Sequence, residues 1–371
     1  MNNIFALTDI EYVIVLSFFC ISLIKSIKSK KENTYKICAI HPSTSLVLKA
    51  FCCIIIICHH YALRTTGGLM DKILDIGGGT YSLVIFLLLS TYGITRSEQK
   101  YGTTIVLYAR KRLWKVFQPY LVITIFSIVL YWIIGANVTE EQLLDARVNP
   151  TFGLLGSHQA TPTDMLGYVL GTKSLDRAMW FVGVTLYSYT AFLLSKLLLP
   201  SKSLMEKRGV ILLSYTVLIL FFAAFTYWKQ FPAHYYRNLW ALVLGLMIAL
   251  YEKEILTFNI LKKALLYLIV NLAIATWLRL TSSGDWMYIV FANLGMTSII
   301  ALNNFFKHFS LIKGGTPIIW LASVSYLIYL VQGKILAIQW WYMGYCSVLL
   351  AIIITIIVAG VFSKLLKMNK L

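Results

Sequence analysis

A helical bundle that crosses a membrane about eleven times is the fold this chain predicts, and three observations predict it. Of its 371 residues, 59% are hydrophobic and only 13% charged, with a mean hydropathy of +0.75, whereas charged residues make up about a quarter of a soluble domain. Apolar segments long enough to span a bilayer recur along the whole chain, whereas a β-barrel would show short alternating strands. Lysines and arginines gather in alternate connections, the pattern that orients membrane helices. The net charge of +18 therefore reports topology, and nucleic acid is excluded as a partner. The six cysteines include no CxxC pair, so Cys52, Cys53 and Cys58 read as small apolar residues, with no disulfide and no metal site expected.

Taken in order, Asp9–Ile27 is the first apolar span. No basic segment precedes it, and Lys28, Lys30, Lys31 and Lys36 follow, which predicts an uncleaved anchor with its N-terminus outside. Residues 1–42 thus form an anchor and a basic loop, and 43–371 the main membrane domain. Ser43–Ala62 returns across the membrane and carries Lys49, His59 and His60. At about 100° per residue, the eleven steps from Lys49 to His60 bring them to within about 20° of each other, roughly 16 Å apart along the axis. One face therefore presents a cation near one membrane surface and an imidazole half a bilayer deeper, while His59 points about 80° away.

The connection Leu63–Thr80 has balanced charge and is expected outside, its Gly77-Gly78-Gly79 run a flexible turn, since no P-loop Lys-Ser/Thr follows. Tyr81–Thr95 leads inward to the densest basic cluster, Arg96, Lys100, Arg110, Lys111, Arg112 and Lys115, which suits an anion. After the span Pro119–Ala136, the segment Asn137–Arg177 holds more acidic than basic residues, so it is expected outside, where its length suits a cover over an acceptor site. Seven further spans follow: Ala178–Leu198, Gly209–Trp228, Leu239–Tyr251, Ala264–Leu280, Trp286–Leu302, Pro317–Ala337 and Tyr345–Ser363. Basic residues mark every second connection and the tail, which places the C-terminus inside. No internal repeat of the transporter kind is evident.

Five segments in order carry a likeness to a known family. They are Leu48-Lys49-Ala50 with His60 eleven positions beyond Lys49, Phe86-Leu87-Leu88-Leu89-Ser90-Thr91-Tyr92-Gly93, the basic helix Lys111-Arg112-Leu113-Trp114-Lys115-Val116-Phe117-Gln118-Pro119-Tyr120, Met179-Trp180-Phe181-Val182, and Ser323-Val324-Ser325-Tyr326-Leu327-Ile328-Tyr329-Leu330-Val331-Gln332. From about Ser43 to Leu366 the chain resembles the acyltransferase-3 family, integral-membrane O-acyltransferases that decorate bacterial polysaccharides and other envelope glycans. Lys49 stands where that family usually has Arg, Thr91 where it has Gly, and Gln332 where it has His. The resemblance implies a ten-helix core, so that Asp9–Ile27 is an additional helix.

Acyl-CoA, acetyl-CoA foremost, is the expected donor, with no permanently bound cofactor. Its phosphates would meet Arg110, Lys111, Arg112 and Lys115, and its pantetheine arm would pass Lys49 to present the thioester near His60. His60 is the expected general base on a sugar hydroxyl, because imidazole titrates closest to neutrality, or else forms an acyl-histidine. Trp180, Tyr329 and Gln332 are candidate substrate contacts. Ser325, Tyr329 and Gln332 share one helical stripe expected to face the bundle interior, and Trp180 suits an interfacial aromatic belt better than a sugar stack. Asp176 and Glu98 are expected to be solvated loop residues. The acceptor implied is an envelope glycan or lipid-linked sugar, the setting the bacterial cell membrane, and a homo-oligomer is compatible with the chain. A transporter or flippase for such a glycan is the alternative, with Lys49 and His60 lining a pathway.

Overall fold

A computed structural model describes residues 2–29, 38–65, 68–135, 161–170, 179–198, 207–281, 286–312, 316–343 and 347–366. The first helix, α1 (Asn2–Lys25), runs into the strand β1 (Ile27–Ser29), and α2 (Pro42–Ala62), α3 (Leu69–Tyr101) and the short α4 (Ile105–Tyr108) follow. A π-helical segment, Ala109–Trp114, then leads into α5 (Lys115–Gly135). Next come α6 (Pro162–Leu170), α7 (Trp180–Leu197), α8 (Arg208–Trp228), α9 (His234–Arg237), α10 (Trp240–Leu250), α11 (Glu252–Thr257), α12 (Ile260–Thr281) and α13 (Trp286–His308). The strand β2 (Phe309–Leu311), α14 (Pro317–Met343) and α15 (Val348–Leu365) complete the order.

Among the described residues, eight helices are long and apolar enough to cross a membrane, so the chain is a multi-pass helical membrane protein. α10 is too short to be one of them, with 11 residues where about 20 are needed. One small addition qualifies the all-helical expectation. β1 and β2 pair antiparallel, Ile27 opposite Leu311, and so tie the end of α1 to the end of α13. The core is built on α3, which packs against α2, α10 and α13, with α14 lying between α2 and α15. α12 is the opposite case: Ile260, Leu261, Leu265, Leu268 and Leu272 are exposed, as suits a helix whose solvent is lipid.

Two groups of cross-links tie the elements together near their connections. In the first, Glu252 accepts from the backbone N–H of Ala39 at 2.8 Å and from the Tyr92 hydroxyl at 2.5 Å, and pairs with Arg96 at 2.8 Å. Asn303 accepts from the N–H of His41, and Arg208 pairs with Glu254, holding that carboxyl below its ordinary range. In the second, Tyr12 donates to Asp71 at 2.6 Å, Glu11 accepts from Ser347 and the N–H of Val348, and Trp277 donates to the carbonyl of Arg237. The first set joins the connections around Ala39, Arg96, Arg208 and Glu252.

The connection after α2 corrects the sequence reading. Gly77, Gly78 and Gly79 form no turn: they are buried inside α3. A Cβ on Gly77 would collide with the Phe291 ring of α13, and one on Gly79 would lie 2.6 Å from His59 Nε2 of α2. Three glycines in a helix sacrifice propensity, which the close approach of two neighbouring helices in a membrane offsets. Gly245 of α10 is less forgiving, since its Cβ would meet the backbone carbonyl of Leu88, which cannot swing aside. Gly245→Ala is expected to destabilise the fold by about 2 kcal/mol through overpacking, checked by thermal unfolding of the detergent-solubilised protein; an unchanged midpoint would refute this close packing.

Candidate active site around α2, α14 and the basic π segment

α2 starts with Pro42 in its first turn and His41 as N-cap, whose Nδ1 accepts from the N–H of Ser43 at 3.1 Å; proline lacks the N–H that would be unpaired there. From this start the helical phase is fixed. His59 turns towards α3, its Nδ1 2.8 Å from the carbonyl oxygen of Leu74. Tyr61 turns towards α1, edge-on to Tyr12, and Phe51 meets Phe19 of the same helix. Lys49 and His60, both half-buried, therefore share one face of α2.

The basic segment approaches from the end where α3 stops. Gly102 ends α3 in the left-handed region, at φ 55°, a conformation that costs glycine nothing. Glu98 is buried just before it. It accepts from the backbone N–H of Thr103 at 3.2 Å, from the Thr103 hydroxyl at 2.5 Å and from Lys196 of α7 at 2.6 Å. Lys196 also donates to the Thr103 carbonyl at 2.6 Å. The expectation of a solvated Glu98 is thus overturned: α3 continues through it, and the carboxylate anchors the turn that launches the π segment. Asp176 lies outside the described residues, as does most of Asn137–Arg177.

Pro119, inside α5, offers no N–H to the carbonyl one turn earlier, and the wider π turn directly precedes that gap,. The predicted anion cluster is divided there. Arg110, Lys111 and Lys115 are exposed, whereas Arg112 is half-buried. Beside it, Leu113, Trp114, Phe117 and Leu186 wall an apolar groove of about 680 Å³ with Arg110 at its rim.

α14 presents its stripe inward as expected, Ser325, Tyr329 and Gln332 all being buried. The Tyr329 hydroxyl accepts from the N–H of Phe181 at 3.3 Å, and the two rings meet edge to face. Trp320, about 180° round the helix, packs on Gly360 of α15. Gln332 is fully buried, and neither end of its amide has a hydrogen-bond partner among the described residues, an arrangement that costs roughly 2 kcal/mol or more. Trp180 is no belt residue: it is buried, with the rings of His234 at 4.7 Å and Tyr235 at 5.5 Å.

The structure therefore joins Trp180 with Tyr329 through Phe181, and leaves Arg110, Lys111 and Lys115 exposed. Two residues were missed by the sequence reading. Lys334 is buried in α14, donating to the carbonyl of Leu330 at 2.9 Å and lying 3.3 Å from Met179 Sδ; a lysine inside an apolar span is itself a functional signal. His234 gave no such signal, because only the fold brings it to Trp180. Among the described residues no group of His, Cys, Asp or Glu is arranged to hold a metal.

A family model described as an acyltransferase domain, Acyl_transf_3, matches residues 47–365. No curated protein and no solved structure matches the chain significantly.

Proposed function

Because the chain belongs to the acyltransferase-3 family and is a membrane acyltransferase, we propose that it moves an acyl group, acetyl foremost, from cytosolic acyl-CoA to a hydroxyl of an envelope glycan or lipid-linked sugar at the bacterial cell membrane. The observation that supports this reading is the face of α2 that Lys49 and His60 share by helical phase,, together with the basic segment Ala109–Trp114. Positive charge lies where an anionic cytosolic donor would arrive, and a proton carrier lies deeper. The flippase alternative draws no support from the family match.

In the proposed reaction, His60 accepts the proton of the sugar hydroxyl as its oxygen attacks the thioester carbonyl carbon. The C–S bond breaks, the sulfur takes the proton from His60, and the products are an ester and free CoA. Arg110, Lys111 and Lys115 attract the donor from solution, and Arg112 and Lys49 hold it inside. Trp180, with His234 and Tyr235 beside it, offers an aromatic face to a sugar, while Tyr329 and the unpaired amide of Gln332 are assigned to substrate contact.

Purified protein in detergent, given radiolabelled acetyl-CoA, is expected to release CoA and to pass label to glycan from its own cells. Failure to consume acetyl-CoA with any acceptor fraction would refute the donor assignment.

A further inference from the structure

The connection between α8 and α10 holds a cation that no carboxylate among the described residues neutralises. Trp277 of α12 donates its indole N–H to the carbonyl oxygens of Tyr236 at 3.2 Å and Arg237 at 2.9 Å, which fixes α9 in place. His234 then lies 4.7 Å from the buried ring of Trp180, and the central carbon of the Arg237 guanidinium lies 3.7 Å from the ring centroid of Tyr288 in α13. His234 and Arg237 are one turn apart on α9, so their side chains are neighbours, about 5–6 Å apart at Cβ.

Arg237 is half-buried, and its Nε is shielded from water with no acceptor among the described residues. Contact with the face of Tyr288 offsets the charge in part but supplies no oxygen, so the guanidinium fork still lacks the planar oxyanion that its geometry matches. A second polar group beside it is also unmet. Asn238, the next residue, is 2% exposed, and its Oδ1 has no hydrogen-bond partner among the described residues. Each such group costs free energy until a ligand meets it. A donor fork beside a buried acceptor is the complement of a carboxylate beside a hydroxyl, the arrangement found on a sugar acid.

We infer that α9 forms an acceptor subsite for an acidic sugar: Arg237 binds its carboxylate, Asn238 accepts from a neighbouring hydroxyl, and the half-buried rings of His234 and Tyr235 support the sugar ring. The inference rests on the acyl-transfer reading above and names the acceptor class within it. Neutral glycans are disfavoured because they leave the guanidinium unpaired. Arg237 selects the acceptor and plays no part toward the donor.

The test uses the purified full-length protein, radiolabelled acetyl-CoA and glycan from its own cells, separated by anion exchange into acidic and neutral fractions. Transfer to the acidic fraction is expected to be roughly a hundredfold faster at low glycan concentration, the size of a bidentate charge-assisted contact. Carbodiimide amidation of the carboxylates should abolish that preference, whereas mild hydrofluoric acid, which strips phosphate, should preserve it. Arg237→Ala is expected to lose the preference with KM for acetyl-CoA unchanged, and Arg237→Lys to recover part of it, since the charge is kept and the fork is lost. Capture of the acidic fraction by immobilised protein without donor reads the same contact independently of turnover. Equal labelling of both fractions, or equal loss on both in Arg237→Ala, overturns the subsite. A preference that disappears with phosphate instead of carboxylate upholds the anion site and reverses the choice of oxyanion. Selective capture with no transfer from acetyl-CoA sinks the acyl-transfer reading and leaves the acid site standing, and absence of both sinks both.

Discussion

Replacing His60 by alanine is expected to lower acyl transfer at least roughly a hundredfold, the typical contribution of a general base or more, in a protein that still folds and still binds donor. His60→Gln should do no better, since an amide can hydrogen-bond but carries no proton. The neighbouring imidazole is the control. His59 bonds to the carbonyl oxygen of Leu74 and packs on Gly78 and Gly79, so His59→Ala should reduce thermal stability and leave the turnover of the folded fraction largely intact. Turnover per folded molecule, measured beside melting temperature, separates the two. Equal loss of turnover in both variants, explained by poor folding, would make His60 a packing residue. Loss confined to His59 would mean that the helical phase selects the wrong imidazole.

Removing Lys196 is expected to have the largest effect on stability. The Glu98 side chain is 1% exposed and that of Lys196 26%, so Lys196→Ala leaves a carboxylate buried with only Thr103 to satisfy it. Breaking such a pair from one side costs about 3 kcal/mol or more. Glu98→Gln should cost less, because the amide oxygen still accepts from Thr103 while the ammonium reaches water. Thermal unfolding in detergent measures both. A milder effect for Lys196→Ala than for Glu98→Gln would show that the turn does not depend on this carboxylate. The position has a functional corollary: Glu98 acts on chemistry only through the turn that sets the π segment, so its loss should appear as a raised KM for donor with kcat little changed.

The helical membrane class and the shared phase of Lys49 and His60 on α2 were legible from the sequence because each depends on local rules. A bilayer demands long apolar helices, and the α-helical period places Lys49 and His60 together wherever the helix sits. The stripe of Ser325, Tyr329 and Gln332 followed from the same period. What tertiary structure alone decided are the contacts between segments far apart in the chain. A glycine run reads as a turn until Phe291 and His59 show that it is a packing surface. Glu98 reads as solvated until Lys196, 98 residues away, closes on it, and four neighbouring cations read as one cluster until the π turn brings Arg112 in and leaves the others out. Helical phase and membrane partition are properties of a segment. Burial, pairing of charge and the close approach of backbones are properties of its neighbours, and only the folded bundle supplies them.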